Sequence, residues 1–463
     1  MTVATSTALV AAIETKRALP RALMGGTQAM RDAGKHYLPQ EPAESHDEYN
    51  NRLARSFLFN GFGQAVDDFA GRVFAKAIIL EPDVPPQIVK YCENIDLAGR
   101  DIDMFANAVF RDAVVDGIGY ILADMDAPID GLLTKADADA LNRRPWLVHI
   151  PARKVLGWKA TAINGVETLT QFRYSDDQSV DDGDFGEKVV RQVRVLSLTG
   201  QTVAWQTYRQ PFISTRSPDD WVLFEEGRIS LTRIPVTPVY INRTAFFAGE
   251  PPLMDMAQVN AAHWQSQSDQ RNILHIARVP FLFGEGFAED AQPIVIGAMR
   301  MLRNSQLGSD VRFVEHSGAA IEAGRNDLKD LEMQMQVLGL ELTMPTPSSQ
   351  SATGAAIDQA KMTTPLAMMS KAMEDALENA LQFMAEFSGL TDGGSVELNK
   401  DFTIGFNAAA DAQTILAAKA AGVISGVTVI RELQRRGILT ETINPDEEVL
   451  AAMGDGSMDA NQP

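Results

Sequence analysis

The sequence predicts an α+β chain, and three observations carry that reading. Apolar positions recur at three or four over the first 115 residues, the period falls to two between Ile118 and Arg243, and long helical patterns return after Pro251-Pro252. At 463 residues the chain is too long for one compact core, so two to four structural units are expected.

In the first region Ser45-His46-Asp47-Glu48 has the pattern of a capping box. Tyr49, Leu53, Phe57 and then Val66, Phe69 and Val73 follow at helix spacing, with an interruption near Gly61 and Gly63. Asp101 to Asp116 predicts a further helix, with Phe105, Val109 and Val115 among its apolar positions, stopped by Gly117 and Gly119.

The middle region predicts short strands at Tyr120–Ala123, Trp146–Ile150, Glu167–Tyr174, Glu187–Leu198, Thr202–Tyr208, Trp221–Phe224 and Val236–Ile241. They are rich in aromatic and β-branched residues and are separated by Gly, Asp and Pro clusters, as in an antiparallel meander inside a mixed domain.

Leu253 to Ala277 can run as one helix, on the order of 38 Å long at 1.5 Å per residue. Its stretch from Gln265 to Asn272 is polar on every side. Such a helix is expected to lie against copies of itself or to line water, and not to be buried in its own subunit's core. A strand at Val279–Phe283, a helix near Gln292–Arg303 and a strand at Val311–Glu315 make a compact insert, and a helix over Asp327–Leu342 returns from it. The pattern is a helical hairpin with an α/β cap on its tip.

A polar loop from Met344 to Gly354 then precedes helical sequence from Ala355 to Ser388, within which Pro365 must kink the helix or open a new one after Thr364. Ser395 to Ile404 reads as a strand that pairs with something earlier. Helices are expected again at Ala408–Ala421 and Val427–Arg436, with Gly422 and Gly437 as C-caps, and the tail from Gly454 is too polar to fold alone.

Composition narrows the function. Sixty-one acidic against 41 basic residues give a net charge of -20, the wrong sign for a protein that grips phosphates over its whole surface. No apolar stretch of about 18 residues could cross a bilayer, and the N-terminus reads as no secretion signal. Cys92 is the single cysteine, which excludes an intramolecular disulfide and fits a reducing cytoplasm.

No constellation in the sequence points to catalysis. The histidines at 36, 46, 149, 263, 275 and 316 form no zinc spacing, no GK[ST] of a phosphate-binding loop occurs, and no GxSxG is present. The acidic run Asp176, Asp177, Asp181, Asp182, Asp184 and Glu187 lacks the alternate spacing of a calcium loop and reads as a solvated turn. Neither a catalytic residue, a cofactor nor a metal is expected.

One segment is more specific. Gly34 to Ile78 contains Tyr37-Leu38-Pro39, Pro42, Glu44-Ser45, Tyr49, Arg52-Leu53 and Gly71-Arg72-Val73, and it resembles the N-terminal signature of one branch of tailed-bacteriophage portal proteins. Ser351 to Asp358 with the long helix after it resembles the tunnel loop and kinked wing helix of that family. The resemblance implies a portal fold: a mixed α/β wing over 1–250, a stem helix over 251–278, a clip over 279–324, a second stem helix over 325–342, tunnel loop, long wing helix and wing strand over 343–406, and a small helical crown with the C-terminal tail over 407–463.

The same resemblance implies a homo-oligomer, a dodecamer in the mature particle, at the capsid vertex of a virion assembled in the host cytoplasm. Its partners would be the terminase large subunit, head-completion, adaptor or tail proteins, major capsid and scaffolding proteins, and double-stranded DNA in transit, with no membrane. The tunnel loop would be Pro345, Thr346, Pro347, Ser348, Ser349, Gln350, Ser351, Thr353 and Gly354. Arg271, Arg278 and Lys329 are candidate basic residues of the channel, and Ile296, Met299, Met301 and Leu302 are the candidate docking face of the clip. Twelve copies would carry roughly -240 charges in all, which keeps DNA from adhering to the walls. Two other readings stay open: a different head or neck component such as a minor capsid protein, or a cytoplasmic enzyme with a dispersed site. A monomeric mass would favour either, and a turnover screen would separate them.

Overall fold

The computed structural model describes residues 2–126, 143–210, 220–277, 281–285, 310–314, 318–340, 352–400, 402, 408–435, 438–440 and 443–458. Its first helices begin where side-chain oxygens satisfy free backbone donors. α1 (Ala8–Met24) is capped by Thr7, α2 (Gly26–Ala33) follows it, and α3 (His46–Arg55) opens on the expected capping box. Ser45 Oγ accepts from the Glu48 N–H at 3.3 Å while Glu48 Oε2 accepts from the Ser45 N–H at 2.8 Å. α3 ends at Arg55, so Phe57 falls beyond it.

Asn60 caps α4 (Gly61–Val73), and then come β1 (Ile79–Leu80), α5 (Pro86–Cys92) and α6 (Ile102–Asp116). Asp101 caps α6 through the Met104 N–H at 2.8 Å, and Gly117, with φ +80°, stops it in the left-handed conformation.

Strands β2 (Ile118–Asp124), β3 (Trp146–Ile150), β4 (Val155–Ile163), β5 (Val166–Ser175), β6 (Gln178–Asp181), β7 (Glu187–Val190), β8 (Gln192–Thr199), β9 (Thr202–Arg209), β10 (Val222–Ile229) and β11 (Val236–Tyr240) follow. They form an antiparallel five-stranded sheet in the order β10-β9-β8-β5-β4, a three-stranded sheet β11-β2-β3, and a separate hairpin of β6 and β7. The expected strand from Glu187 to Leu198 is thus two, broken at Arg191: β8 enters the sheet and β7 turns back on β6. β4 escapes the sequence pattern because it is an edge strand whose outer half, Ala160 to Ile163, is largely exposed and not periodic.

β12 (Arg243–Ala245) and β13 (Ala248–Gly249) lead to α7 (Met254–Ala277), β14 (Phe281–Glu285), β15 (Asp310–Val314) and α8 (Gly318–Met335). β14 and β15 pair antiparallel, from Phe281↔Val314 to Glu285↔Asp310. α8 begins inside the span expected to be clip and ends in a π-helical turn, Gln336–Leu340. α9 (Ala352–Phe387) is one helix with Pro365 inside it, and Thr353 and Gly354, expected in the loop, belong to its first turn. The expected strand from Ser395 shrinks to β16 (Val396–Glu397), which does pair with an earlier segment, β1.

The chain divides into two units. The first, Met1–Pro347 with Ala372–Glu397, has its core where α6 lies on β2: Phe105, Val109, Phe110, Tyr120, Phe172 and Phe247 are buried there. Tyr120 stacks on Phe247 and donates its hydroxyl to the Phe247 carbonyl at 2.7 Å, which satisfies the one polar atom of a buried ring. The second unit, Ser348–Lys371 with Leu398–Pro463, holds α10 (Ala408–Ala420), α11 (Gly426–Arg435) and α12 (Pro445–Met458) around Ile415, Val429 and Leu433. α12 runs through Gly454 to Met458, so the tail expected to be unfolded from Gly454 is helical over its first five residues.

Candidate assembly and channel elements

α7 and α8 pack antiparallel as a hairpin, and the residues between them are polar. Ser266 Oγ donates to Asp327 at 2.5 Å, Gln270 Nε2 donates to the Ile321 carbonyl at 2.8 Å, and His263 Nε2 lies 3.5 Å from Glu332 Oε1. The helices come close at Gly324, where any side chain would run into Gln270. Gly339 in the π turn does the same against Met256 of α7. Burial holds His263 below its ordinary pKa, against the pull of Glu332 and Asp327.

The expectation that α7 cannot be buried in its own subunit is overturned. Asn260, His263, Trp264, Ser268 and Gln270 are all buried. The physical reason is that neighbouring elements of the same chain supply partners for much of this polar face. Asn260 donates to the Phe59 carbonyl at 2.8 Å and accepts from the Phe62 N–H at 3.0 Å, so it caps the bend into α4. Gln265 donates to the Tyr37 carbonyl at 3.0 Å, and Ser56 Oγ bonds Ser268 Oγ at 2.8 Å. Arg52 donates to both Glu44 oxygens, to the Pro39 carbonyl at 2.7 Å and to Ser268 at 3.4 Å. Its guanidinium holds the Glu44 carboxyl below the usual carboxylate range.

The segment singled out by resemblance is therefore the seat of α7. Tyr37, Pro39, Glu44 and Arg52 come from a loop and α3, and all meet at the middle of that helix or at the arginine that grips it. Their partners on α7 are not legible in the sequence. The one signal was Arg52 within a segment of low apolar content, since a buried arginine needs an acid nearby.

Of the candidate channel cations, Arg271 is exposed on α7 and lies over the Phe57 ring at 3.9 Å. Lys329 is exposed on α8. Arg278, the clip residues Ile296, Met299, Met301 and Leu302, and the loop residues Pro345, Thr346, Pro347, Ser348, Ser349, Gln350 and Ser351 lie outside the described residues. An apolar strip on the hairpin was not anticipated: Met333, Val337 and Leu338 are exposed on α8 and its π turn, and Phe57 and Phe59 are exposed just before α4.

A second network fixes the root of the hairpin. Arg17 and Arg21 of α1 hold Asp116 at the end of α6, and Arg17 also donates to the Gly249 carbonyl at 2.9 Å, just before α7. Burial raises the Asp116 carboxyl pKa, and the two arginines oppose that shift. A cavity of about 300 Å³ lined by Asp83, Glu378, Gln382, Asp392 and Ser395 is acidic. Among the described residues no group of three or more His, Cys, Asp or Glu side chains is arranged to hold a metal ion, and no helix is long and apolar enough to cross a membrane.

Residues 252–388 match a family model described as a domain of unknown function, DUF4055. That span takes in α7, the β14/β15 pair, α8 and α9. Among solved structures, a chain of "Neck of native GTA particle computed with C12 symmetry" is similar at 13% identity and a TM-score of 0.44, covering 81% of this chain and 89% of that chain. No curated protein matches the chain.

Proposed function

We propose that this chain is a portal subunit of a tailed-phage particle, a structural protein that closes into a ring for DNA to pass. The observation that carries the reading is the order of parts: an α/β body, a helix leaving it, an antiparallel strand pair, and a second helix returning antiparallel to the first. The N-terminal signature supports it, because its residues hold the first helix of that hairpin.

In this reading α7 and α8 are the stem, residues 279–317 between them the clip, and residues 345–351 the tunnel loop. The terminase motor and later a head-completion or tail protein dock on the clip at Ile296, Met299, Met301 and Leu302, since Met-rich apolar surfaces accept more than one partner. Ser348, Ser349, Gln350 and Ser351 offer neutral hydrogen-bonding groups that let phosphates slide without the salt-dependent hold of lysine or arginine. The exposed strip of Met333, Val337 and Leu338 is covered by the next subunit, and cyclic closure leaves no open end.

Mass photometry of the purified protein tests the ring. Twelve copies of 50.5 kDa weigh about 606 kDa. Monomers or dimers alone, over a range of concentration and salt, would overturn the reading and favour a minor capsid or neck protein. Deleting 346–351 through a short glycine bridge leaves the ring intact and impairs packaging or retention of DNA; full-length genomes at wild-type yield would remove the loop's role.

A further inference from the structure

The β6/β7 hairpin leaves the five-stranded sheet between β5 and β8 and ends in Asp181-Asp182-Gly183-Asp184-Phe185-Gly186-Glu187. Phe185 at its tip is fully exposed, with a relative accessibility of 103%, and Val189 on β7 is 65% exposed. Hydrogen bonds and an ion pair close the tip. The Asp182 N–H donates to the Gly186 carbonyl at 2.7 Å, Ser179 Oγ donates to Glu187 at 2.8 Å, and Lys188 pairs with Asp182 at 3.0 Å. Its base is tied to the sheet, since the Asp176 N–H donates to the Gln192 carbonyl at 2.8 Å and the Gln192 N–H donates to Asp177 at 3.0 Å.

A preformed turn that holds an aromatic ring in water is poised for burial elsewhere, because little ordering remains to be done on binding. Seating one phenylalanine ring strengthens an association by about tenfold to a hundredfold. The surrounding charges select the partner. Asp181, Asp182, Asp184 and Glu187 outnumber Lys188, so DNA and anionic lipid are repelled. On a second copy, the cavity lined by Asp83, Glu378 and Asp392 would reject an acidic tip.

We infer that the β6/β7 tip is a plug for an apolar socket rimmed by lysine or arginine on a different protein. This rests on the reading above only for where the partner is sought, among the other proteins of the same particle. The socket takes the Phe185 ring, and its basic rim pairs with Asp184 and its neighbours.

The test places p-benzoyl-phenylalanine at position 185 of the full chain, expressed with the other proteins of its particle, and maps the cross-linked peptide after irradiation. The same label at Asn164, an exposed turn between β4 and β5, is the control. The expected result is one peptide from another protein, apolar and flanked by Lys or Arg, with a yield that falls about tenfold in Asp184→Lys. A peptide from this chain, a yield no higher than at Asn164, or indifference to Asp184→Lys and to the milder Asp184→Asn would overturn the inference. Mass photometry on the same samples separates the two proposals: an intact ring without the cross-link sinks the plug alone, and a monomeric chain sinks the ring while the cross-link still reports on the plug.

Discussion

Arg52 grips the carboxylate of Glu44 through two parallel hydrogen bonds of 2.8 Å, Nε to Oε1 and the far nitrogen to Oε2. Both side chains are nearly closed off from water. The pair matters beyond itself because the same guanidinium reaches Pro39, Ser268 and Asp269, joining the N-terminal loop to α3 and α7.

Removing one member of such a pair leaves the other buried and unmatched. Arg52→Ala is expected to lower stability by about 3 kcal/mol. Arg52→Lys should recover only part of it, because an ammonium cannot make both parallel bonds at once. Chemical denaturation of the two variants checks the order: equal stabilities for Lys and Ala would show that the fork geometry contributes nothing.

Asn260 gives a second measure of how firmly α7 is seated. Its amide satisfies one carbonyl, of Phe59, and one N–H, of Phe62, at a site with no access to water. Asn260→Ala strands both backbone groups and is expected to cost about 2–4 kcal/mol, whereas Asn260→Asp keeps the acceptor and loses the donor. Hydrogen exchange at the Phe62 amide should accelerate in the alanine variant and stay protected in the aspartate one.

These two residues show what the sequence could and could not reveal. Periodicity placed α3 and α6, which open on caps at Ser45 and Asp101, together with α7 and most strands, but not α5, α12 or β4. It misjudged α7, since the polarity of Gln265 to Asn272 looks the same whether water or Arg52, Ser56 and Tyr37 supply the partners. Those partners lie more than 200 residues away, and no local pattern records them. Pro365, expected to kink a helix or to open a new one, lies inside α9 and opens no new helix. The residue-level site was the least legible part, because a polar loop or a methionine cluster carries no local signal of what it faces.

His149 on β3 sets a pH dependence. Burial pushes its pKa down to about 4, against the pull of Asp112 Oδ2 at 3.5 Å; Arg100, Arg153 and Lys154 push the same way as burial. The folded value is below the unfolded one, so this histidine's contribution is present above pH 6.5 and is lost as the pH falls through about 4. The loss is on the order of 3 kcal/mol at its largest. His149→Gln should flatten the fall in stability between those pH values; an unchanged slope in urea titrations would show that other groups dominate.

Gly117 is where the α6/β2 corner meets the residues that lead into α7. Its φ of +80° excludes most side chains, and a Cβ there would run into the backbone of Glu250. Its carbonyl accepts from the N–H groups of Ile241 at 3.2 Å and Asn242 at 3.0 Å, and Asn242 in turn bonds Glu250 through both backbone and side chain. A substitution here must therefore move the strand that delivers Pro251 and Pro252 to α7. Gly165, in the turn between β4 and β5, has a φ of +81° and nothing within reach of an added Cβ, so it provides the control. Gly165→Ala should cost about 1 kcal/mol, the conformational strain alone. Gly117→Ala should cost about 3 kcal/mol or more, since the clash with Glu250 adds to the same strain. Thermal melts of the two variants, run side by side, isolate the clash as their difference, and equal shifts would mean that the approach of Glu250 to Gly117 does not hold the entry to α7 in place.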